Sequence, residues 1–345
     1  MNRLLMLFFI TGCSDLPATK ILDESPQILV LESDYTTGLV SGWDQDFNAQ
    51  IGTIPSHGDA KIVSLSTGFA LLERSQTDAV TFLDHQLTIL HQHELPERSN
   101  PHDLIETDDA YWISLYQNPK IIRLDKQTYQ PIEPIDGRQW TDADGRPEAS
   151  DLYVHSDGTI LLTVQNLDFS GVEPIPPDHS QLIHLRPNGE LIDRYSISSN
   201  PFAPIAARDA NHLLIACNHS WGIEEEAGLW QFNILTQAQE LLINEEQLNG
   251  NILDFTTVGD SVFMIVSQLD FSTALYHFDL ITKVIEPVAG STSSLGCIIT
   301  IKETAIYVCD RRIGDHGIRQ LDSENRRLEQ SLIKTTLAPL QILGR

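Results

Sequence analysis

Two sets of polar side chains recur at regular intervals along the chain and could bind a metal ion or a polar ligand. The first set contains only carboxylates and amides: Asp34, Gln76, Gln117, Asn166, Asn218, Gln268 and Asp310. The second set is mixed and includes three aspartates: Gln341, Lys61, Asp103, Asp151, Pro204, Asp254 and Cys297. Hard cations such as Ca2+ prefer oxygen ligands of this kind. A structural role is the alternative, because carboxylates and amides at strand ends commonly bond to loop backbone groups.

A further candidate calcium site is the loop that contains Asp142 and Asp144. Its D-x-D-G spacing lets two carboxylates converge while Gly145 turns the chain, but the later ligands of an EF-hand loop are missing. A solvated turn is the alternative interpretation. The sequence also lacks G-x-S-x-G, H-E-x-x-H, C-x-x-C, P-loop and G-x-G-x-x-G motifs, which weakens the case for an enzyme without excluding a site built from scattered residues.

The elements that would position these residues are indicated by a repeated pair of residues. A hydrophobic residue is followed by a turn-forming polar residue seven times, and six of the seven polar residues are Asp or Asn: Trp43-Asp44, Leu83-Asp84, Leu124-Asp125, Leu185-Arg186, Phe232-Asn233, Phe278-Asp279 and Leu321-Asp322. The gaps between successive pairs run from 40 to 61 residues. Repeats of about 40 to 50 residues built from four short strands are typical of propeller blades.

Short apolar and β-branched runs bounded by turn residues predict four strands, a to d, in each unit. Long helical periodicity is absent, so we expect helices to be minor. The first unit, residues 27–54, has only three strands, and residues 338–343 resemble the start of strand a elsewhere. The sequence therefore predicts an all-β, seven-bladed β-propeller that is closed by a C-terminal inner strand.

Composition supports one large domain with an acidic surface. The chain has 48 acidic and 22 basic residues, and its net charge is −26. Such a surface repels phosphate backbones, so we expect no nucleic-acid partner. It suits a soluble domain, a cationic ligand or a basic partner.

The N-terminus predicts export and a lipid anchor. Arg3 precedes the apolar run Leu4 to Ile10, which is too short to span a bilayer. The following Ile10-Thr11-Gly12-Cys13 resembles the bacterial lipobox, in which the Cys is lipidated; a short ordinary signal with an incidental Cys is the alternative. We expect a signal peptide at 1–12, a tether at 13–25 and the propeller at 26–345, and Ser14 resembles the residue after the Cys in lipoproteins sent to an outer membrane.

Several short motifs resemble the YVTN-type β-propeller lipoproteins of bacterial cell envelopes. The motifs are Thr141 to Glu148, Gln165 to Asp168, Asn200-Pro201-Phe202 and Asn100-Pro101-His102-Asp103. The resemblance extends over most of residues 26–345 and implies a seven-bladed propeller in the periplasm or at the cell surface. It implies no particular reaction. Related lactonase-like propellers use a metal in the central channel, but their ligand set has no residue-by-residue match in this chain.

Strands a and b are antiparallel neighbours, so both polar sets should lie at one face of the disc, around the mouth of the channel. We therefore favour an envelope-tethered binding or scaffold protein whose acidic mouth holds a protein, glycan or small ligand. The alternative is a lactonase-like hydrolase or lyase that uses a channel cation, most simply Ca2+. Convergence of at least three oxygen or nitrogen side chains on one point would favour this alternative. The expected ligand-binding residues are His102, Asp103, Gln117, Asp151, Asn166, Asp254 and Gln268, and the expected metal ligands are Asp103, Asp151, Asp254, Asp142 and Asp144.

The last expectation is a disulfide between Cys297 and Cys309. Cys297 begins strand a of the last blade and Cys309 ends its strand b, so the two residues should face each other across an antiparallel pair. Export to an oxidising compartment favours the bond. Cys217 has no such partner and should be a buried free thiol. The alternative is three reduced, buried cysteines that act as small apolar residues.

Overall fold

In a computed structural model, the chain forms a closed ring of seven antiparallel sheets, which confirms the predicted seven-bladed β-propeller. The model describes residues 25–344 except 75–76, 142–144, 170–174, 220–221 and 303. Strand a of each blade lies nearest the axis and strand d lies outermost, and blade 7 carries one extra short strand. Each strand a starts at the same face of the disc, which we call the mouth face.

Every blade contains strands a to d in order from the axis outward. Blade 1 contains Pro339–Gly344, Ile28–Ser33, Thr37–Trp43 and Gln50–His57; blade 2 contains Ala60–Leu65, Gly68–Glu73, Ala79–Asp84 and Ile89–Glu94; blade 3 contains Pro101–Glu106, Ala110–Leu115, Lys120–Asp125 and Pro131–Asp136; blade 4 contains Ala149–Val154, Ile160–Val164, His179–Leu185 and Leu191–Ser198. Blade 5 contains Ala206–Ala207, His212–Cys217, Gly228–Asn233 and Gln239–Asn244; blade 6 contains Asn251–Val258, Ser261–Ser267, Thr273–Asp279 and Ile285–Pro287; blade 7 contains Leu295–Ile301, Ala305–Asp310, Gly317–Asp322 and Arg327–Leu328, with Ile333–Lys334 as the extra strand.

Helices are short in the described part of the chain, as the sequence predicts. They are a 3-10 turn at Gly137–Trp140 and one α-helical turn at Glu245–Leu248. No helix among the described residues has the length and apolar character needed to cross a bilayer.

The polar residues that end strand c form the turns that the sequence predicts. In six blades, the side-chain oxygen of this residue accepts hydrogen bonds from backbone N–H groups two to four residues later; the residues are Asp44, Asp84, Asp125, Asn233, Asp279 and Asp322. Blade 4 has Arg186 instead, and there the Asn188 side chain accepts from Glu190 N–H. This local hydrogen bond explains why the repeat is visible in the sequence.

Seven buried hydrophobic clusters fill the interfaces between neighbouring blades. The cluster between blades 7 and 1 contains Ile301 and Tyr307 from blade 7, and Val30 and Ile342 from blade 1. A similar cluster lies at each of the other six interfaces. Every blade therefore buries both faces against its neighbours, and each interface needs both of the blades that form it.

The C-terminal segment closes the ring as predicted, because Pro339–Gly344 pairs with Ile28–Ser33. Glu32, which is completely buried, strengthens this joint. Its Oε2 accepts hydrogen bonds from the backbone N–H groups of Thr336 and Leu337, both at 2.8 Å. A buried carboxylate is stable only when it is hydrogen-bonded, so Glu32 fixes where the last segment enters the blade.

Candidate functional site

The inner strands carry β-bulges near the mouth, and these bulges aim side chains at the axis. Blades 1, 3 and 6 each have one extra residue at this point: Leu340, His102 and Leu253. In blades 4 and 7, two residues of strand a lie opposite a single residue of strand b. This bulge places Asp151 and Cys297 at the same height along the axis as the three extra residues. All five residues line one cavity. A bulge leaves its extra residue outside the ladder and turns that side chain.

This axial cavity has a volume of about 630 Å³ and opens at the mouth face. That volume suits a small organic molecule. Its two halves differ in chemistry. The wall from blades 2 to 4 carries polar and charged groups, including Asp59, Lys61, Arg74, Asn100, His102 and Asp151. The wall from blades 5, 6, 7 and 1 has more apolar residues, among them Phe202, Pro204, Leu253 and Leu340, but it also includes Asp254 and Gln341.

Lys61 is paired with two of the predicted carboxylates. Its Nζ lies 2.8 Å from Asp103 Oδ1 and 3.6 Å from Asp151 Oδ1. Burial lowers the pKa of the Lys61 ammonium, but the charges of Asp103 and Asp151 outweigh burial, and the pKa is raised above its ordinary value. The ammonium therefore stays charged and neutralises much of the negative charge on this wall.

The carboxylates of strand a also bond to the next blade. Asp103 Oδ2 accepts a hydrogen bond from Leu152 N–H at 2.9 Å, and Asp254 Oδ2 accepts one from Ile298 N–H at 2.9 Å. The Gln341 amide makes two such bonds to strand a of blade 2. These side chains tie neighbouring inner strands together, which is the structural role that stands as the alternative to cation binding.

Asp254 differs from the other carboxylates because it has no cation within bonding distance among the described residues. Burial raises its pKa to about 7, although the backbone N–H groups of Ile298 and Phe255 and the charge of Lys61 act in the opposite direction. The side chain is thus divided between its neutral and ionised forms near neutral pH.

His102 is held in the cavity wall by aromatic stacking. Its ring lies against Tyr116 with 5.4 Å between centroids and 28° between planes. Tyr116 Oη donates to Gln165 Oε1 at 2.6 Å, and Gln165 Nε2 donates to the Pro201 carbonyl at 2.7 Å. Burial and the positive charges of Lys61 and Arg74 lower the pKa of His102 to about 3, so its imidazole is neutral at physiological pH.

Two polar groups on the same wall lack hydrogen-bond partners among the described residues. Arg74 Nε is buried without one, and the nearest carboxylate atom, Asp59 Oδ1, lies 3.8 Å away. Asn100 Oδ1 is also buried without a partner. Buried polar groups are normally hydrogen-bonded, so these two atoms are unusual, and the Arg74 side chain that carries one of them lines the cavity and is 22% exposed.

The carboxylate and amide set at the end of strand b lies elsewhere. Gln117 is exposed, Asn166 is buried in a left-handed backbone conformation (φ 55°), and Gln268 Oε1 accepts a hydrogen bond from Asn249. None of the three lines the axial cavity. The expected placement is therefore corrected: in blades 3 and 4 the residue that directly follows strand b, Tyr116 or Gln165, lines the cavity, and the expected residue comes one position later. Gln76 falls outside the described residues.

Three residues that do line the cavity precede those expected positions by one or two residues. They are Arg74, Tyr116 and Gln165. The hydrophobic repeat gives the approximate end of strand b but does not show which of its last residues faces the axis. In a strand, a shift of one residue moves a side chain to the opposite face.

The geometry gives no support to the predicted calcium site at Asp103, Asp151 and Asp254. No three His, Cys, Asp or Glu side chains within the described ranges are arranged to hold a metal ion. Asp103 and Asp151 share Lys61, and Asp254 accepts backbone hydrogen bonds instead. The D-x-D-G loop with Asp142 and Asp144 lies outside the described residues.

The expected disulfide between Cys297 and Cys309 is present, with 5.0 Å between the Cα atoms. It joins strands a and b of blade 7 at the bulge, beside the cavity. Cys217 is a buried free cysteine, and burial raises the pKa of its thiol. This thiol therefore stays protonated and unreactive.

Comparisons with known proteins show the fold but no family. No protein-family model and no curated protein matches the sequence. The structure is similar to a putative 6-phosphogluconolactonase from Bacteroides fragilis, with a TM-score of 0.62 and 12% identity over 93% of this chain and 98% of that chain. It is also similar to the dihydro-heme d1 dehydrogenase NirN in complex with DHE, with a TM-score of 0.60 and 15% identity over 93% of this chain and 66% of that chain. A third similar structure is apo AztD from Citrobacter koseri, with a TM-score of 0.53 and 12% identity over 91% of this chain and 96% of that chain.

Proposed function

We propose that this protein is an envelope-tethered β-propeller that binds a small organic ligand in its axial cavity. The observation that carries the proposal is the division of polar groups on the cavity wall. Most are already paired within the protein, whereas Arg74 and Asn100, on blades 2 and 3, each have a polar atom without a hydrogen-bond partner among the described residues. Such a cluster in a concave pocket is typical of a ligand site.

Support for the envelope location comes from the sequence and from the disulfide. The lipobox-like segment ending at Cys13 and the resemblance to YVTN-type propeller lipoproteins both favour an exported, lipid-anchored protein, most simply at the outer membrane. The Cys297–Cys309 bond fits an oxidising compartment. In this proposal the anchor holds the propeller at a membrane and the mouth face is available to ligands.

The alternative, a metal-dependent lactonase-like hydrolase or lyase, receives less support. A putative 6-phosphogluconolactonase shares the fold, but fold alone does not carry an activity. The three carboxylates that would hold the cation are used by Lys61 and by backbone N–H groups. A catalytic metal would need an open set of convergent ligands.

A ligand screen on the full-length chain tests the binding function. Thermal shift with small acids, amines, sugars and aromatic compounds should identify stabilising ligands, because a ligand that binds only the folded state raises the melting temperature. Leu253→Trp places an indole in the cavity and should abolish the shift. Leu269→Trp, on an exposed loop of the same blade, is the matched control. Ligands that stabilise both variants equally, or no stabilising ligand at all, would contradict binding in the cavity.

Lipidation is tested separately by replacing Cys13. Cells that express the native chain should incorporate radioactive palmitate into it, and Cys13→Ser should lose both the label and membrane association. Cys217→Ser is the control, because that residue is buried. A labelled Cys13→Ser variant would refute the anchor and leave the ligand site untouched.

A further inference from the structure

We infer that the cavity's ligand is a monocarboxylic acid with an apolar body, and that Arg74 binds its carboxylate. This inference rests on the proposed function and names the ligand class for the same site. Three observations support it: the few hydrogen-bond partners of Arg74, the carboxylates around the cavity, and the apolar residues on the wall opposite Arg74.

Arg74 is a cation of the cavity wall that has few hydrogen-bond partners among the described residues. Within the described part of the chain, its guanidinium has one ion-pair contact, to Asp59 Oδ1 at 3.8 Å, and its buried Nε donates to no acceptor. Lys61, in contrast, lies between two carboxylates. A guanidinium presents a planar fork of N–H donors that matches a carboxylate in a bidentate pair. A bound carboxylate would therefore satisfy Arg74.

His102 stands beside Arg74 as a second contact. Its Nδ1 lies 3.5 Å from Ser150 Oγ, its ring is fixed against Tyr116, and no other hydrogen bond of the ring to a described residue is found. A neutral imidazole can donate one hydrogen bond to a carboxylate oxygen without adding charge. Burial and then the charges of Lys61 and Arg74 disfavour the protonated form of His102, against the opposing charges of Asp103 and Asp59, so the ring meets a ligand as a neutral group.

The carboxylates around the cavity disfavour more than one negative charge on the ligand. Asp59, Asp151 and Asp254 line the same cavity, so a phosphate dianion would meet more repulsion than a carboxylate. The wall opposite Arg74 has more apolar residues, among them Phe202 and Leu253. An apolar body attached to the carboxylate would lie against this wall and remove apolar surface from water.

Isothermal titration calorimetry of the full-length chain in detergent tests the inference with three probes: phenylacetate, phenylacetamide and inorganic phosphate. We expect phenylacetate to bind at least about tenfold tighter than the amide, which has the same shape without the charge. Phosphate should bind more weakly than phenylacetate. Arg74→Gln should remove the preference for the acid, whereas Arg186→Gln, an exposed arginine paired with Glu190, should keep it.

The outcomes separate this inference from the proposed function. Equal binding of acid and amide, a preference retained in Arg74→Gln, or tighter binding of phosphate would overturn the assignment to a monocarboxylate. So would the absence of phenylacetate binding at millimolar concentration. If the ligand screen still finds compounds that Leu253→Trp excludes, the cavity remains a binding site and only the ligand class is wrong. Circular dichroism of Arg74→Gln checks that the fold is intact.

Discussion

Removal of the C-terminal strand should destabilise the whole propeller. Truncation after Leu337 deletes Pro339–Gly344, which forms strand a of blade 1. Ile342 is 2% exposed in the interface with blade 7, and Leu340 and Leu343 pack against the interface with blade 2. Full burial of such a side chain contributes about 1.5 to 3 kcal/mol, so one full and two half burials contribute about 3 to 6 kcal/mol.

The loss of polar contacts adds to this figure. The truncation removes the ladder with Ile28–Ser33 and the two hydrogen bonds between the Gln341 amide and Ile62. Each hydrogen bond contributes about 1 kcal/mol net. Because a folded domain is stable by only about 5 to 15 kcal/mol, the truncated chain should be unfolded or close to it.

Urea denaturation followed by circular dichroism measures the effect. The truncated chain should lose about 5 kcal/mol or more of its free energy of unfolding. Ile342→Ala should lose about 2 to 4 kcal/mol, and the matched variant Ile281→Ala, at a position 66% exposed, should stay within about 0.5 kcal/mol of the native chain. A synthetic peptide of residues 336–344 should restore part of the loss. A change below about 1 kcal/mol on truncation would refute the closure reasoning.

Three further outcomes are expected. Lys61→Met leaves Asp103 and Asp151 without their cation and should cost about 3 kcal/mol in urea denaturation at pH 7; an unchanged free energy would show that the pairing is not stabilising. The folded pKa of Asp254, about 7, exceeds its ordinary value of 3.8, so the free energy of unfolding should fall as pH rises from about 4 to 7. The shift sets an upper limit of about 4 kcal/mol on this fall, and partial exposure of the side chain to solvent makes the fall smaller than that limit. Asp254→Asn should flatten that part of the stability curve, and an identical slope in both proteins would contradict the assignment. Cys309→Ser opens a short loop and should cost about 2 to 3 kcal/mol under oxidising conditions, with no difference from the native chain once reductant is added; a difference that persists in reductant would point to packing instead of the bond.

The fold could be predicted from the sequence because its signals are local. An Asp or Asn at the end of strand c accepts hydrogen bonds from N–H groups only two to four residues away, so the turn is encoded within a few positions. The missing strand of the first unit and the resemblance of residues 338–343 to a strand a predict the closure in the same way. Hydrophobic alternation and turn residues recur seven times, and each repeat supports the others.

The site could be predicted only in part. The sequence places the start of strand a well enough to include His102, Asp151 and Asp254, which do line the cavity. It misplaces the axis-facing end of strand b by one or two residues, so Gln117 is expected at the axis in place of Tyr116. A pattern of period two does not show where a bulge or a turn shifts the register, and such a shift reverses the direction of a side chain.

Partners across blade boundaries are set by the tertiary structure alone. Lys61 in blade 2 forms ion pairs with Asp103 in blade 3 and Asp151 in blade 4. Two aspartates that the sequence predicts as metal ligands are therefore paired with a lysine of the protein. Within the described part of the chain, this pairing also leaves Arg74 Nε without an acceptor. The repeat, the turns and the closing strand follow from the sequence, because each depends on hydrogen bonds or hydrophobic patterns within a short stretch of chain. Which charges neutralise one another depends on distances of a few ångströms between residues far apart in the chain, and only the closed ring sets those distances.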